Sequence, residues 1–289
     1  MKNTMKKPAN IPISKLRPFE GHPFKVKDDD EMSTLIESVQ TVGILSPLIV
    51  RPIDNTDEYE VISGHRRLHA AVKAGIVEIP ALIYALDRDS AAIALVDSNL
   101  HREHILPSEK AFAYKMKLDA MSRQGFRSDL TSDQVGRKLE TADIIAQQSD
   151  DSKTQVRRYI RLTHLIPELL DLMDEGKIAL MVGEALSYLG DEEQYAVLEQ
   201  CEINDCTPSY AQAVEMKKRY QDGQLTAENI SEILSREKAN QKETIKIPSA
   251  RLAGKIPSGY TLQQKEDFIV KAIDYYNKYR ARQRDRDSR

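Results

Sequence analysis

The chain has 289 residues, 30% of them charged and 40% hydrophobic, with a formal net charge of −3. That composition suits a soluble protein of roughly two or three compact units. No apolar run reaches the ~18 residues of a membrane helix. Two cysteines, Cys201 and Cys206, do not make a disulfide scaffold, and a slightly acidic chain that grips nucleic acid must do so through local clusters.

Residues 1–10 read as a flexible basic tail with Lys2, Lys6 and Lys7. No apolar stretch follows the lysines, so no signal peptide is expected and a cytoplasmic setting fits. Ile11-Pro12-Ile13 reads as an edge strand that runs into a turn at Leu16-Arg17-Pro18. Asp28 to Glu31 then place carboxylates at a helix N-terminus, where the dipole favours them. Met32, Leu35, Ile36 and Val39 continue that helix, and Gly43 ends it. Ser46–Ile53, Tyr59–Ser63 and Ile79–Leu86 read as strands. Helices are expected from Gly64 to about Ala74, over Asp89–Asn99 and over Ser108–Gln124. Gly125–Thr131 is a polar loop. From about Ser132 to Arg236 the pattern is helical, with breaks near Pro167, Gly176, Gly190, Pro208 and Gly223.

This order predicts an α+β chain. An α/β domain covers 11–104, a helical domain 105–236, a linker 237–260 and a C-terminal helical segment 261–289. In the last segment Phe268, Ile269, Ala272, Ile273 and Tyr276 form an apolar stripe, suited to pairing with a second copy or to packing on the chain's own body.

Two stretches carry chemistry. In Tyr59-Glu-Val-Ile-Ser-Gly64-His65-Arg66-Arg67 a strand turns at a glycine directly into a helix. The first N–H groups of a helix lack internal partners and carry partial positive charge. Two guanidinium groups added there make an anion seat that suits a phosphate. The plainer alternative is a helix start whose arginines pair with nearby acids.

The second stretch is Thr141 to Leu162. A helix with Ile144, Ile145 and Ala146 leads through a polar turn to a helix capped by Ser152. Val156, Tyr159, Ile160 and Thr163 share one face, and Lys153, Thr154, Gln155, Arg157, Arg158 and Arg161 point elsewhere. This is the build of a helix-turn-helix, although a helical hairpin with a charged solvent face has the same pattern. On the first reading Gln155 suits adenine and Lys153 or Arg157 suits guanine. Arg158 and Arg161 suit phosphates. Ser149 stands where an apolar residue usually packs, and Asp150 where a glycine usually turns. Aspartate tolerates the left-handed conformation such a turn needs.

Gly64-His-Arg-Arg-Leu-His-Ala resembles the G-E-R-R-x-R-A box of ParB-type partition proteins. Ser98-Asn-Leu-His-Arg-Glu103 followed by Leu106-Pro-Ser-Glu-Lys-Ala111 resembles their second box. The boxes and the helix-turn-helix follow in the family's order, and the resemblance covers about Ile11 to Ile178. It implies a ParB/sulfiredoxin-like nucleotide-binding domain, CTP and Mg²⁺ as ligands, and a clamp that closes on DNA at a centromere-like site. It also implies a ParA-type ATPase as partner, a homodimer, and a place on the nucleoid or a plasmid. Carried over by position, Gly64, His65, Arg66 and Arg67 cradle the triphosphate, Asn99 holds the Mg²⁺–phosphate group and Arg102 sits beside it. Lys2, Lys6 and Lys7 are candidates for stimulating the ATPase.

The chain departs from the family at His65 and His69 in the first box. Ser98 stands in place of a glutamate linked to hydrolysis, with Asp97 one residue out of register. His22-Pro23-Phe24 stands in place of Gln-Pro-Arg. Nucleotide binding is thus implied more strongly than hydrolysis. The pairs His65/His69 and His101/His104 have metal-ligand spacing, but no acid or cysteine completes a site. A transcriptional regulator without spreading and a ParB-like nuclease are the alternatives. The second lacks an evident carboxylate cluster for two metals. A sulfiredoxin would need a cysteine where His65 stands.

Overall fold

A computed structural model describes residues 8–124, 134–236, 252, 254–257 and 259–287. Lys2, Lys6, Lys7, the loop Gly125–Thr131 and the linker Glu237–Glu243 fall outside the described residues. The chain divides into two compact units, Met1–Arg236 and Glu237–Arg289.

The first unit opens with a mixed sheet. Its strands are β1 (Ala9–Pro12), β2 (Leu16–Pro18), β3 (Leu48–Pro52), β4 (Tyr59–Ser63) and β5 (Glu78–Ile83). Their order is β1-β5-β3-β4-β2, with β3–β5 and β2–β4 parallel and the other two pairs antiparallel. Two expectations are corrected here. Ala9 and Asn10 belong to the sheet, opposite Ala81 and Pro80, so the tail is shorter than residues 1–10. Leu16-Arg17-Pro18 is a strand beside Tyr59–Val61. Three residues ending in proline carry no local strand signal, and only the partner makes them one. Pro12 and Pro18 close the two outer strands.

Alternation along the strands sends successive side chains to opposite faces. Leu48, Val50 and Val61 pack under α1 (Asp30–Val42) and α2 (His65–Lys73), against Met32, Val39, Leu68 and Ala71. Ile62 points the other way, with Ile49 beside it, towards α3 (Arg88–Asn99) and α4 (Pro107–Arg123), where Leu95, Val96 and Ala113 meet Phe19 and Phe24. Asp29 caps α1 by accepting from the Met32 N–H at 2.8 Å, as the run of acids there predicts.

Helices follow: α5 (Gln134–Gln147), α6 (Lys153–Leu162), α7 (Pro167–Asp174), α8 (Leu180–Leu186), α9 (Asp191–Ile203), α10 (Tyr210–Gln221) and α11 (Ala227–Ser235). Leu162, Leu169, Leu186, Val197, Met216 and Ile233 form the core that α6 to α11 share. In the second unit, α12 (Leu262–Asp287) turns Phe268, Ile269, Ala272, Ile273 and Tyr276 to a groove of about 300 Å³ that Leu252 and Ile256 also line. No described helix is long and apolar enough to cross a membrane.

Two contacts fix the turn from β4 into α2. Gly64 is left-handed at φ 104°, and a Cβ there would sit 3.0 Å from Leu48 Cγ and 3.1 Å from Arg67 Nη2. His65 is half-buried, and its Nε2 accepts the Phe19 N–H at 3.3 Å. Its ring lies against His22, with centroids 3.7 Å apart. The His22 Nδ1–H donates to the Phe24 carbonyl at 2.8 Å. Two departures that look separate in the sequence are one stacked pair. Burial, then His22 and Arg102, push the His65 pKa down to about 3, and burial also lowers His22.

Gly64→Ala is expected to cost about 1–3 kcal/mol, read as a lower urea midpoint, because the left-handed turn strains any side chain. The histidines give a second expectation. Unfolded His65 takes up a proton below about pH 6.5, and folded His65 resists until about pH 3. Stability therefore falls as pH drops through that window, by up to about 1.4 kcal/mol per pH unit for one proton. Urea titrations from pH 7 to 5 should show this slope, and it should flatten in His65→Gln.

Candidate functional site

The mouth of α2 opens on a cavity of about 310 Å³, within the usual size range of ligand sites. Its wall brings together Gly64, His65, Arg66 and Arg67 from the β4–α2 turn, Ser98 and Asn99 from the end of α3, and Arg102. All six residues expected to hold a nucleotide therefore face one space. His22, Phe24 and Lys25 complete it from the β2–α1 loop. Lys25 escaped the sequence reading, although it directly follows the departing His22-Pro23-Phe24.

Among the described residues four cations and no carboxylate line this cavity, and the Lys25 ammonium pairs with Asp171 and Asp174. Each arginine is braced. Arg67 donates through Nη1 to the carbonyls of Ser46 and Pro47, the latter at 2.9 Å. Arg66 reaches Glu31 at 3.2 Å and Asp29 at 3.6 Å, so the plainer expectation of acid pairing is met in part. Glu31 is 83% exposed, and such a pair is weak enough to yield to a phosphate. Arg102 stands over the Phe24 ring, 5.6 Å from its centroid. Burial lowers the pKa of Arg67, and burial with the nearby Arg66 lowers that of Arg102, although Glu109 opposes the shift. Desolvated guanidinium groups without a counter-charge in the wall make a strong anion seat.

Asn99 is buried and donates through Nδ2 to the Leu95 carbonyl at 2.8 Å and to Ser98 Oγ at 3.3 Å. Its Oδ1 has no hydrogen bond among the described residues, which suits a hard cation such as Mg²⁺. Asp97 does not stand in for the missing glutamate. It lies outside the cavity wall and pairs with Lys117 at 2.5 Å. His65 and His69 turn to separate partners. His69 binds Asp28 at 2.8 Å while His65 bonds to Phe19. No group of three His, Cys, Asp or Glu among the described residues is placed to hold a metal.

The second site is built on α4. Tyr114, Leu118 and Met121 form a core with Ala142 and Ile145 of α5 and Val156 of α6, and Tyr159 and Ile160 pack against it. Ser152 caps α6, accepting the Gln155 N–H at 3.3 Å, while Gln155 Oε1 accepts the Ser152 N–H at 3.1 Å. Gln155, expected to read adenine, is thus folded back into a capping box. Asp150 does not take the left-handed conformation; Asn55 and Asp205 are the non-glycine residues that do among those described. Thr154 is exposed. Lys153 and Arg157 both pair with Asp143. Arg158 pairs with Glu184 at 2.9 Å, and Arg161 donates to the Ser187 carbonyl at 2.7 Å and stacks on Tyr188.

The model of the ParB N-terminal domain family matches residues 1–100. The chromosome-partitioning protein Spo0J of Thermus thermophilus is 32% identical over 187 residues, which are 64% of this chain and 62% of that protein. The chain therefore spans less than two thirds of that relative's length. A probable chromosome-partitioning protein ParB of Vibrio cholerae is 29% identical over 252 residues, 87% of this chain and 79% of that one. A solved structure of C-terminally truncated Caulobacter crescentus ParB with CTP-gamma-S is 24% identical, covers 68% of this chain and 98% of that one, and has a TM-score of 0.32. Residues 1–100, which hold the mixed sheet, the Gly64 turn and α1 to α3, are a ParB-like N-terminal domain.

Proposed function

We propose that this chain is a site-specific DNA-binding partition protein whose grip on DNA is governed by a nucleoside triphosphate. The observation that carries the reading is the cavity at the α2 mouth, lined by Arg66, Arg67 and Arg102 and, among the described residues, by no acid. A triphosphate supplies the charge that this wall lacks. CTP is the choice that the two sequence boxes favour, with Mg²⁺ at Asn99. A nucleotide-binding module over 11–104 then controls a DNA-reading module over 105–236. The name carried by the Thermus relative, chromosome-partitioning protein, supports segregation as the task. A ParA-type ATPase and a second copy of the chain are the partners, and the nucleoid or a plasmid in the cytoplasm is the setting.

In the DNA module the capping box leaves Thr154 and the Gln155 amide at the outer end of α6, and Asp143 holds Lys153 and Arg157 as a pair. DNA phosphates and bases displace Asp143 and Glu184 from these cations.

Equilibrium binding tests the reading, with labelled CTP in competition against ATP, GTP and UTP. CTP should bind the full chain with Mg²⁺, and Arg66→Ala should weaken it at least tenfold while leaving DNA affinity within threefold. Arg157→Ala should do the reverse, costing about 1–3 kcal/mol at the preferred DNA site. If both folded variants lost both activities, the two-module reading would be wrong. On closed circular DNA carrying that site, CTP should change retention of the wild type; no change would favour a simple regulator.

A further inference from the structure

Lys117 is 0% exposed, and its ammonium reaches outward to a carboxylate whose side chain is 48% exposed. It donates to Asp97 Oδ1 at 2.5 Å and to Gln148 Oε1 at 2.9 Å. Asp97 sits on α3, directly before Ser98 and Asn99 in the cavity wall. Gln148 lies in the turn between α5 and α6. One buried cation therefore bonds to both the ligand-facing helix and the turn that aims α6.

Its neighbours on α4 reinforce the connection. Lys110, Tyr114 and Lys117 are spaced i, i+4, i+7 and share one face of the helix. Lys110 pairs with Asp151 at 2.5 Å, and the Tyr114 hydroxyl donates to the same Asp151 Oδ2 at 2.6 Å. Asp151 immediately precedes Ser152, the cap of α6. Among the described residues three side chains of α4 thus tether the α5–α6 turn, and of these Lys117 also bonds to α3.

We propose that Lys117 is a positioning residue that transmits the state of the cavity to the helix-turn-helix. The proposal rests on the nucleotide reading of the cavity. A ligand held by Asn99 and Ser98 shifts the end of α3, and Asp97 moves with it. A fully buried ammonium separated from its carboxylate is costly, so Lys117 follows Asp97. The bond to Gln148 carries that movement to the turn. The apolar packing of Tyr114 and Leu118 beside Ala142 and Ile145 keeps α4 and α5 together meanwhile.

Hydrogen exchange on the full chain, with and without CTP and Mg²⁺, tests this. Wild type should change protection at 97–102 and at 148–152 together. Lys117→Met and Gln148→Leu should bind CTP and DNA separately within threefold of wild type, and change only at 97–102. Their CTP-dependent change in DNA off-rate should fall at least fivefold. Gln148 is exposed, so Gln148→Leu keeps the test open if Lys117→Met does not fold. Folded variants that still change at 148–152 would overturn the relay. Asp97→Asn separates this failure from failure of the ligand reading. If CTP changes nothing in wild type but Asp97→Asn alters 148–152, the ligand is wrong and the relay stands. If Asp97→Asn leaves 148–152 as in wild type, the relay is wrong.

Discussion

Like charges repel, and the first unit concentrates its positive charge around one helix mouth all the same. Arg66, Arg67 and Arg102 face a common space whose wall, among the described residues, holds no carboxylate. They stay there because each is braced from behind: by exposed acids on α1, by the carbonyls that precede β3, and by the Phe24 ring. The sheet and the left-handed Gly64 give that bracing its geometry. A site built in this way keeps repulsion in the empty state, and an anion relieves it on arrival.

Much of this was legible in the sequence, because its causes are local. A glycine between a strand and an arginine pair marks the turn into α2 without any partner in view. Hydrophobic periodicity placed the helices, and the prolines and glycines near 167, 176, 190, 208 and 223 fall at their ends or between them. The capping box at Ser152 follows from the residue types alone.

What escaped was set by distance along the chain. Leu16–Pro18 becomes a strand only beside Tyr59–Val61, more than forty residues later. His22 and His65 look like two separate losses until their rings stack. Asp97 looks like a displaced acid until Lys117 claims it from the next helix. Pairing of Lys153 and Arg157 with Asp143 was also hidden, because spacing on one helix says nothing of an acid on another. Asp143 and Glu184 offset only part of the positive charge that Lys153, Arg157, Arg158 and Arg161 bring to α6.

The outer strands of the sheet have a consequence for crowding. Each ends in proline, Pro12 on one side and Pro18 on the other, and is only three or four residues long. An incoming strand would find too few amide donors to bond with along either rim. Molecules packed shoulder to shoulder are thereby kept from zipping their sheets into a common ribbon, and dense gatherings of the protein stay reversible at this surface.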